Sequence, residues 1–350
     1  MDDYSMEVQE QSEINKPKVW QVGILYSLVV VLFVLISAKL QEVFQFNLGG
    51  VLAEVLIIMI PPLVFLFIFR FNVKKVLRLN KTSLANFALV FGIMIFSIPI
   101  VGVFNVLNLL IVKLLFGTVE TRQIPIESDF AGLLIGIVVV AVSAGICEEI
   151  LFRGVIQRAF ERLGSVKSIL TTAFLFGIMH FSFQNLFGTF LLGVLIGYLV
   201  YKSDSLLVGM FAHFTNNAIA VALNWISMKM LEFMEKMGIE NIDTPSGQDV
   251  FSRFEGMSAP EIVLSIAFLL AIVTFSAVIF ILLIYGFIKL NSKNAEIVRK
   301  NQARVSAIEF LPFIPGLFLI AYIYVKEAQL LADTVNSQAF QTILSTVFLL

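Results

Sequence analysis

Two adjacent carboxylates, Glu148 and Glu149, stand just past an apolar run, Phe130 to Val142, that carries no charge. Ionised groups at the edge of such a run require a partner or a wet cavity. On a helix, Glu149 and Arg153 stand four residues apart on one face and can form an ion pair. Glu148 then lies on a different face with no local partner, free to act as a general base. The plainer reading is two glutamates reaching for water at a helix end beside a basic loop.

The chain has only two histidines, and both follow this pair. His180 ends the apolar segment Ala173-Phe174-Leu175-Phe176-Gly177-Ile178-Met179-His180, with Phe176 one turn below the imidazole. Alone it would read as a hydrogen-bonded core histidine. His213 and Asn217 are four residues apart on another predicted helix and share a face. An imidazole and an amide aimed at one cavity can donate hydrogen bonds to a developing oxyanion. The simpler alternative is that they bond each other and a neighbouring helix. Taken together, Glu148, Glu149, Arg153, His180, His213 and Asn217 form one polar set, and ionisable groups within membrane helices are functional candidates by default.

Glutamate as base with histidine as a second acid–base group suits activation of water against a carbonyl. Neither Gly-x-Ser-x-Gly nor His-Glu-x-x-His occurs in the chain, so the motifs of a serine hydrolase and of a zincin are missing. Glu148, His180 and His213 would still make a competent zinc set, with ligands from separate helices, and the residues leave that open. Cys147 is the single cysteine. It excludes an internal disulfide, and the two acids beside it argue against a cysteine nucleophile.

The elements that must position these groups are hydrophobic. Apolar residues make up 59% of the chain and charged residues 14%, against about 25% charge in soluble domains, which implies a multi-pass membrane protein. A net charge of -1 points to no partner, and no basic stripe suggests nucleic acid. Residues 1–18 carry five acids before Lys16 and Lys18, which predicts a disordered cytoplasmic tail rather than a signal peptide. Spans are predicted at 20–40 and at 49–69, the latter kinked by Pro61-Pro62. Residues 84–116 read as one span continued by a kinked or interfacial piece, and 130–147 as the next span. Short apolar segments follow at 168–181, 186–201 and 206–226, and further spans at 262–288 and 308–325. Basic stretches at 70–81, 153–167 and 289–304 place those loops and the N-terminus on the cytoplasmic side by the positive-inside rule.

The expected fold is therefore all-α, a polytopic membrane protein of about eight to nine transmembrane helices around a polar intramembrane cavity. N-terminal helices occupy 19–129, the catalytic core 130–226 and a hydrophilic extracytoplasmic loop 227–261. C-terminal helices fill 262–350. Gly132-x-x-x-Gly136 and Gly193-x-x-x-Gly197 are spacings that let helices approach closely.

Glu148-Glu149-x-x-x-Arg153, Phe176-x-x-x-His180 and His213-x-x-x-Asn217, in this order, resemble the three motifs of the CAAX protease and bacteriocin-processing (CPBP, or Abi) family of intramembrane peptidases. The resemblance covers about residues 130–225. It implies a water-filled cavity opening into the bilayer, a water activated by Glu148 and His180, and an oxyanion stabilised by His213 and Asn217. Glu149 and Arg153 would brace the site as an ion pair. It also implies a membrane-embedded protein or peptide as substrate in the cell membrane. Members have been described both as metalloproteases and as metal-independent glutamate peptidases. The cofactor is accordingly zinc or none, and the amide beside His213 favours none, since it suits a donor pair better than a ligand shell. Two other readings use the same features. One is a non-catalytic scaffold or regulator of a sensor kinase; the other is an ion-coupled transporter, for which the expected internal repeats are missing.

Overall fold

In the computed structural model, which describes residues 15–119, 124–238, 256–292 and 305–333, all regular structure is helical. Among the described residues, seven helical runs are long and apolar enough to cross a membrane. The first, Val19–Ile68, has 50 residues. Straight, it would reach about 75 Å at 1.5 Å per residue, far more than the ~30 Å hydrocarbon core. It turns back at Gln45, whose φ of 61° and ψ of 171° are not helical. Past this turn Gly49 lies directly on the incoming arm: a Cβ there would sit 2.5 Å from the Leu40 carbonyl oxygen. The run is therefore a hairpin of two arms, α1 (19–44) and α2 (46–68), as the sequence predicts.

Within α2 the chain widens into a π turn at Glu54–Met59, where the Ile60 N–H bonds to the Val55 carbonyl five residues back. Pro61 and Pro62 follow, and neither can donate to the preceding turn. The expected kink is thus absorbed as a wide turn. Helix α3 (Leu84–Phe116) starts on Ser83, whose hydroxyl accepts from the Asn86 N–H, and stops at Gly117 with φ 82°. It is one continuous helix around Pro99, so the expected interfacial piece is part of the span itself.

Helix α4 (Phe130–Leu163) begins on the Asp129 carboxylate, which accepts from Gly132 N–H at 2.7 Å. It alternates α and π turns, with π turns at Ile137–Val142 and Ile150–Ile156. It does not end near Cys147 as expected; it continues through the glutamate pair, where Arg153 pairs with Glu149 one turn along the same helix. A short helix, α5 (Ser165–Ile178), leads to α6 (Phe183–Ser203) and α7 (Leu206–Lys236). Helix α7 runs well past Ile226, so the expected loop at 227–261 is helical as far as Lys236, while 239–255 lie outside the described residues. Helix α8 (Ala259–Leu290) is mostly exposed, as a lipid-facing span is, and packs into an apolar cluster with α3 through Phe280, Leu283, Ile284 and Phe287. A 3₁₀ turn, Ala307–Phe313, enters α9 (Ile314–Asp333). The apolar stretch after Gln338 lies outside the described residues, as do residues 1–14 of the expected tail.

At one end of the bundle the basic segments meet. Glu161, at the end of α4, is almost wholly buried and accepts from Arg78, from Arg158 at 2.7 Å and from Lys16 at 3.0 Å. Arg78 also reaches Asp204, in the turn between α6 and α7, at 2.6 Å. Arg158 caps the carbonyls of Val76 and Lys75 at 3.1 and 3.2 Å. Burial opposes the Arg78 charge, yet Glu161 and Asp204 more than offset it and hold its pKa above the ordinary arginine value. Lys16 thus belongs to a fixed junction, and residues 15–18 are not part of a free tail. Glu161→Gln leaves two buried guanidinium groups short of one anion, a loss of about 3–5 kcal/mol for a truncated buried pair. A marked drop in the melting temperature of the detergent-solubilised protein is the expected result.

Candidate active site

Helix α4 carries Glu148 and Glu149 on diverging faces, and the two acids meet different fates. Glu149 is fully buried. Its Oε1 accepts from Arg153 at 2.5 Å, one turn along, and contacts His213 Nδ1 on α7 at 2.9 Å. Arg153 is equally buried; it donates to the Gly193 carbonyl of α6 at 3.2 Å and lies 4.6 Å over the face of the Phe176 ring. Phe176 in turn meets His180 edge-on at 4.7 Å and His213 at 5.8 Å between ring centroids. Close packing depends on a missing side chain at Gly209, where a Cβ would sit 2.9 Å from Glu149 Oε2.

Glu148 has no such partner. Its Oε2 is buried and accepts no hydrogen bond from the described residues, and His213 Nε2 stands 3.9 Å away, beyond bonding distance. His180 Nδ1 lies 2.9 Å from the Phe176 carbonyl. A carbonyl only accepts, so Nδ1 carries the proton and Nε2 is left as the free acceptor. Glu148 and His180 both line a cavity of about 190 Å³. Its apolar wall comes from Phe33, Ile58, Phe152, Phe176, Met179 and Phe181, and its remaining polar group is Glu54.

The sequence patterns that single out the polar set miss Glu54. A signal for it exists: it is the one charged residue between Gly49 and Phe69, and such residues are functional candidates by default. Asn217 is placed differently from the expectation. Its amide donates to the Val140 carbonyl at 3.0 Å and its oxygen accepts from Asn216 at 3.0 Å, so it fastens α7 to a π turn of α4 and is not part of the cavity lining. The other five residues of the set converge around Phe176.

No three His, Cys, Asp or Glu side chains among the described residues stand close enough together to hold a metal ion. With Nδ1 of His213 on Glu149, Nε2 is the nitrogen this histidine leaves for a substrate or an ion.

Helical architecture and an ionisable cluster beside a cavity define a polytopic membrane protein with an enclosed polar site. Residues 130–219 match the family model described as Type II CAAX prenyl endopeptidase Rce1-like. No curated protein and no solved structure matches the chain. The matched segment contains Glu148, Glu149, Arg153, His180, His213 and Asn217.

Because Glu149 holds both Arg153 and His213, Glu149→Gln removes the charge partner of a buried arginine, at a cost of about 3–5 kcal/mol. Lower yield and earlier thermal unfolding in detergent are expected, in addition to lost function; unchanged melting would refute the bracing role.

Proposed function

We propose that this chain is an intramembrane endopeptidase that hydrolyses a peptide bond of a membrane-associated protein or peptide with a water activated by Glu148 and His180. One observation carries the reading: of two adjacent glutamates, one is locked in an ion pair and the other faces a cavity unpartnered, opposite a histidine whose Nε2 is free to accept a proton. Glu148 takes a proton from water as the water oxygen bonds to the substrate carbonyl carbon. On collapse the C–N bond breaks and that proton passes to the leaving nitrogen, which restores Glu148. His180 Nε2, free to accept, relays that proton between Glu148 and the leaving nitrogen. His213, aligned through Nδ1 by Glu149, presents Nε2 on the Glu148 side as the donor for the oxyanion when it carries a proton. Asn217 keeps α7, and so His213, in register.

The reaction runs without a resident metal ion in this reading, since His213 serves as a hydrogen-bonding group and not a ligand. Basic segments gathered at the Lys16–Arg78–Arg158 end support a cytoplasmic N-terminus in a cell membrane. Comparative membrane proteomics of wild type against Glu148→Gln tests the whole proposal: at least one membrane protein accumulates uncleaved in the variant, and an identical proteome would count against an enzyme.

With that substrate, Glu148→Gln and His180→Ala each lower turnover by at least the ~10²–10⁴-fold of a general acid–base group, with binding almost intact. Asn217→Ala costs less, on the order of 10²-fold, as for a group that only supports an oxyanion donor. Turnover should also resist chelators, and elemental analysis of the purified protein should find no stoichiometric zinc. Zinc that disappears together with activity in His180→Ala would reverse the metal-independent part of the proposal.

A further inference from the structure

Glu54 lies outside residues 130–219, in the N-terminal hairpin, and nothing in the family match assigns it a role. It opens the π turn Glu54–Met59 of α2, and such turns often mark functional positions in helices. It lines the same cavity as Glu148 and His180, and no lysine or arginine joins them in that lining. Its Oε2 is buried and accepts no hydrogen bond from the described residues, as is true of Glu148 Oε2. A buried carboxyl oxygen without a donor is costly. Two carboxyl groups that line one small cavity, each short of a donor, call for an occupant that brings two, and water brings two.

We infer that Glu54 is a second catalytic carboxyl of this site and that it and Glu148 hold the attacking water between them. The inference rests on the hydrolase reading above. One O–H of the water points to Glu148 and the other to Glu54, which leaves an oxygen lone pair facing the substrate carbonyl carbon, a near-attack arrangement. On attack the O–H bond toward Glu148 breaks, its proton moves to Glu148, and the new C–O bond forms as the carbonyl electrons shift onto oxygen. Glu54 keeps its hydrogen bond to the second O–H and ends the cycle unchanged. The α1–α2 hairpin is then part of the active site and not only its scaffold.

Two measurements test this. The first needs no substrate. Cys147 is the only cysteine, so Glu54→Cys in a Cys147→Ser background is a clean target for a small aqueous methanethiosulfonate reagent, with Lys81→Cys in the exposed loop as the positive control. The thiol introduced by Glu54→Cys should be modified in native membranes. If it stays unmodified while the thiol of the Lys81→Cys control reacts, the inference is overturned.

The second compares processing in cells. Glu54→Gln should accumulate the same uncleaved membrane proteins as Glu148→Gln, and on a purified substrate kcat should fall on the order of 10²-fold, the cost of a misplaced reactant, with KM unchanged. Glu54→Asp should recover part of the loss. Wild-type processing in Glu54→Gln beside failed processing in Glu148→Gln overturns the role of Glu54 and leaves the hydrolase reading standing. Normal processing in both variants overturns the hydrolase reading, and the inference with it. A loss in Glu54→Gln that only tracks lower protein level and melting temperature marks the side chain as structural and likewise overturns the inference.

Discussion

Everything at the centre of this bundle depends on the carboxylate of Glu149. In a surface pair, water would share its charge; here both Glu149 and Arg153 are fully buried, and the electrostatic attraction is correspondingly strong while any lost partner is expensive. Arg153 spreads its charge over three neighbours: the carboxylate, the Gly193 carbonyl and the face of Phe176. Glu149 spreads its own over Arg153 and His213. One ion pair therefore ties α4 to α5 through Phe176, to α6 through Gly193 and to α7 through His213. Four helices are held in register by groups that make no use of a substrate.

Such a pair can be buried only where helices come close. Gly193 brings α6 against α5, with space for a Cβ only 3.0 Å from Ala173 Cα. Gly145 does the same between α4 and α7, its missing Cβ lying 3.1 Å from Phe214 N. The small-residue spacing at Gly193 and Gly197 is legible in the sequence, and both residues do sit at helix contacts. In a bilayer, where apolar helices gain little from leaving lipid, close approach and satisfied polar groups are what remain to drive association. The exposed face of α8 shows the contrast: it is rich in leucine, isoleucine and phenylalanine and forms no such polar joint with the site.

The fold class, most spans and the polar set are legible in the sequence because each rests on short-range rules. Twenty apolar residues make a span, and four-residue spacing puts Glu149 against Arg153. What the sequence does not show lies at long range or against the regular period. Glu54 and Glu148 are far apart in the chain, and only the reversal at Gln45 returns α2 to the cavity. The carbonyl that Asn217 bonds, Val140, belongs to a π turn that no 3.6-residue pattern reveals, so the amide reads on paper as a cavity donor. The end of α4 is misplaced in a sequence reading for a related reason: charges normally end a span, but Glu149 and Arg153 neutralise each other inside it.

The π turns carry one further consequence. Among the described residues they occur at Glu54–Met59, Ile137–Val142 and Ile150–Ile156, and each adjoins part of the polar set. A π turn inserts one residue into the helical repeat, so the face a helix presents beyond it is rotated relative to an unbroken α-helix. In α4 one such turn precedes the glutamate pair and another contains Arg153, so this segment can aim Glu149 into the packed core and still leave Glu148 toward the cavity. The same turns weaken local backbone bonding, which is tolerable at membrane depth only where protein groups or a wet cavity re-satisfy it. Asn217 on Val140 is one such repair. The irregular backbone and the polar site therefore depend on each other: the turns aim the carboxylates, and the polar groups that gather there supply the partners the turns need.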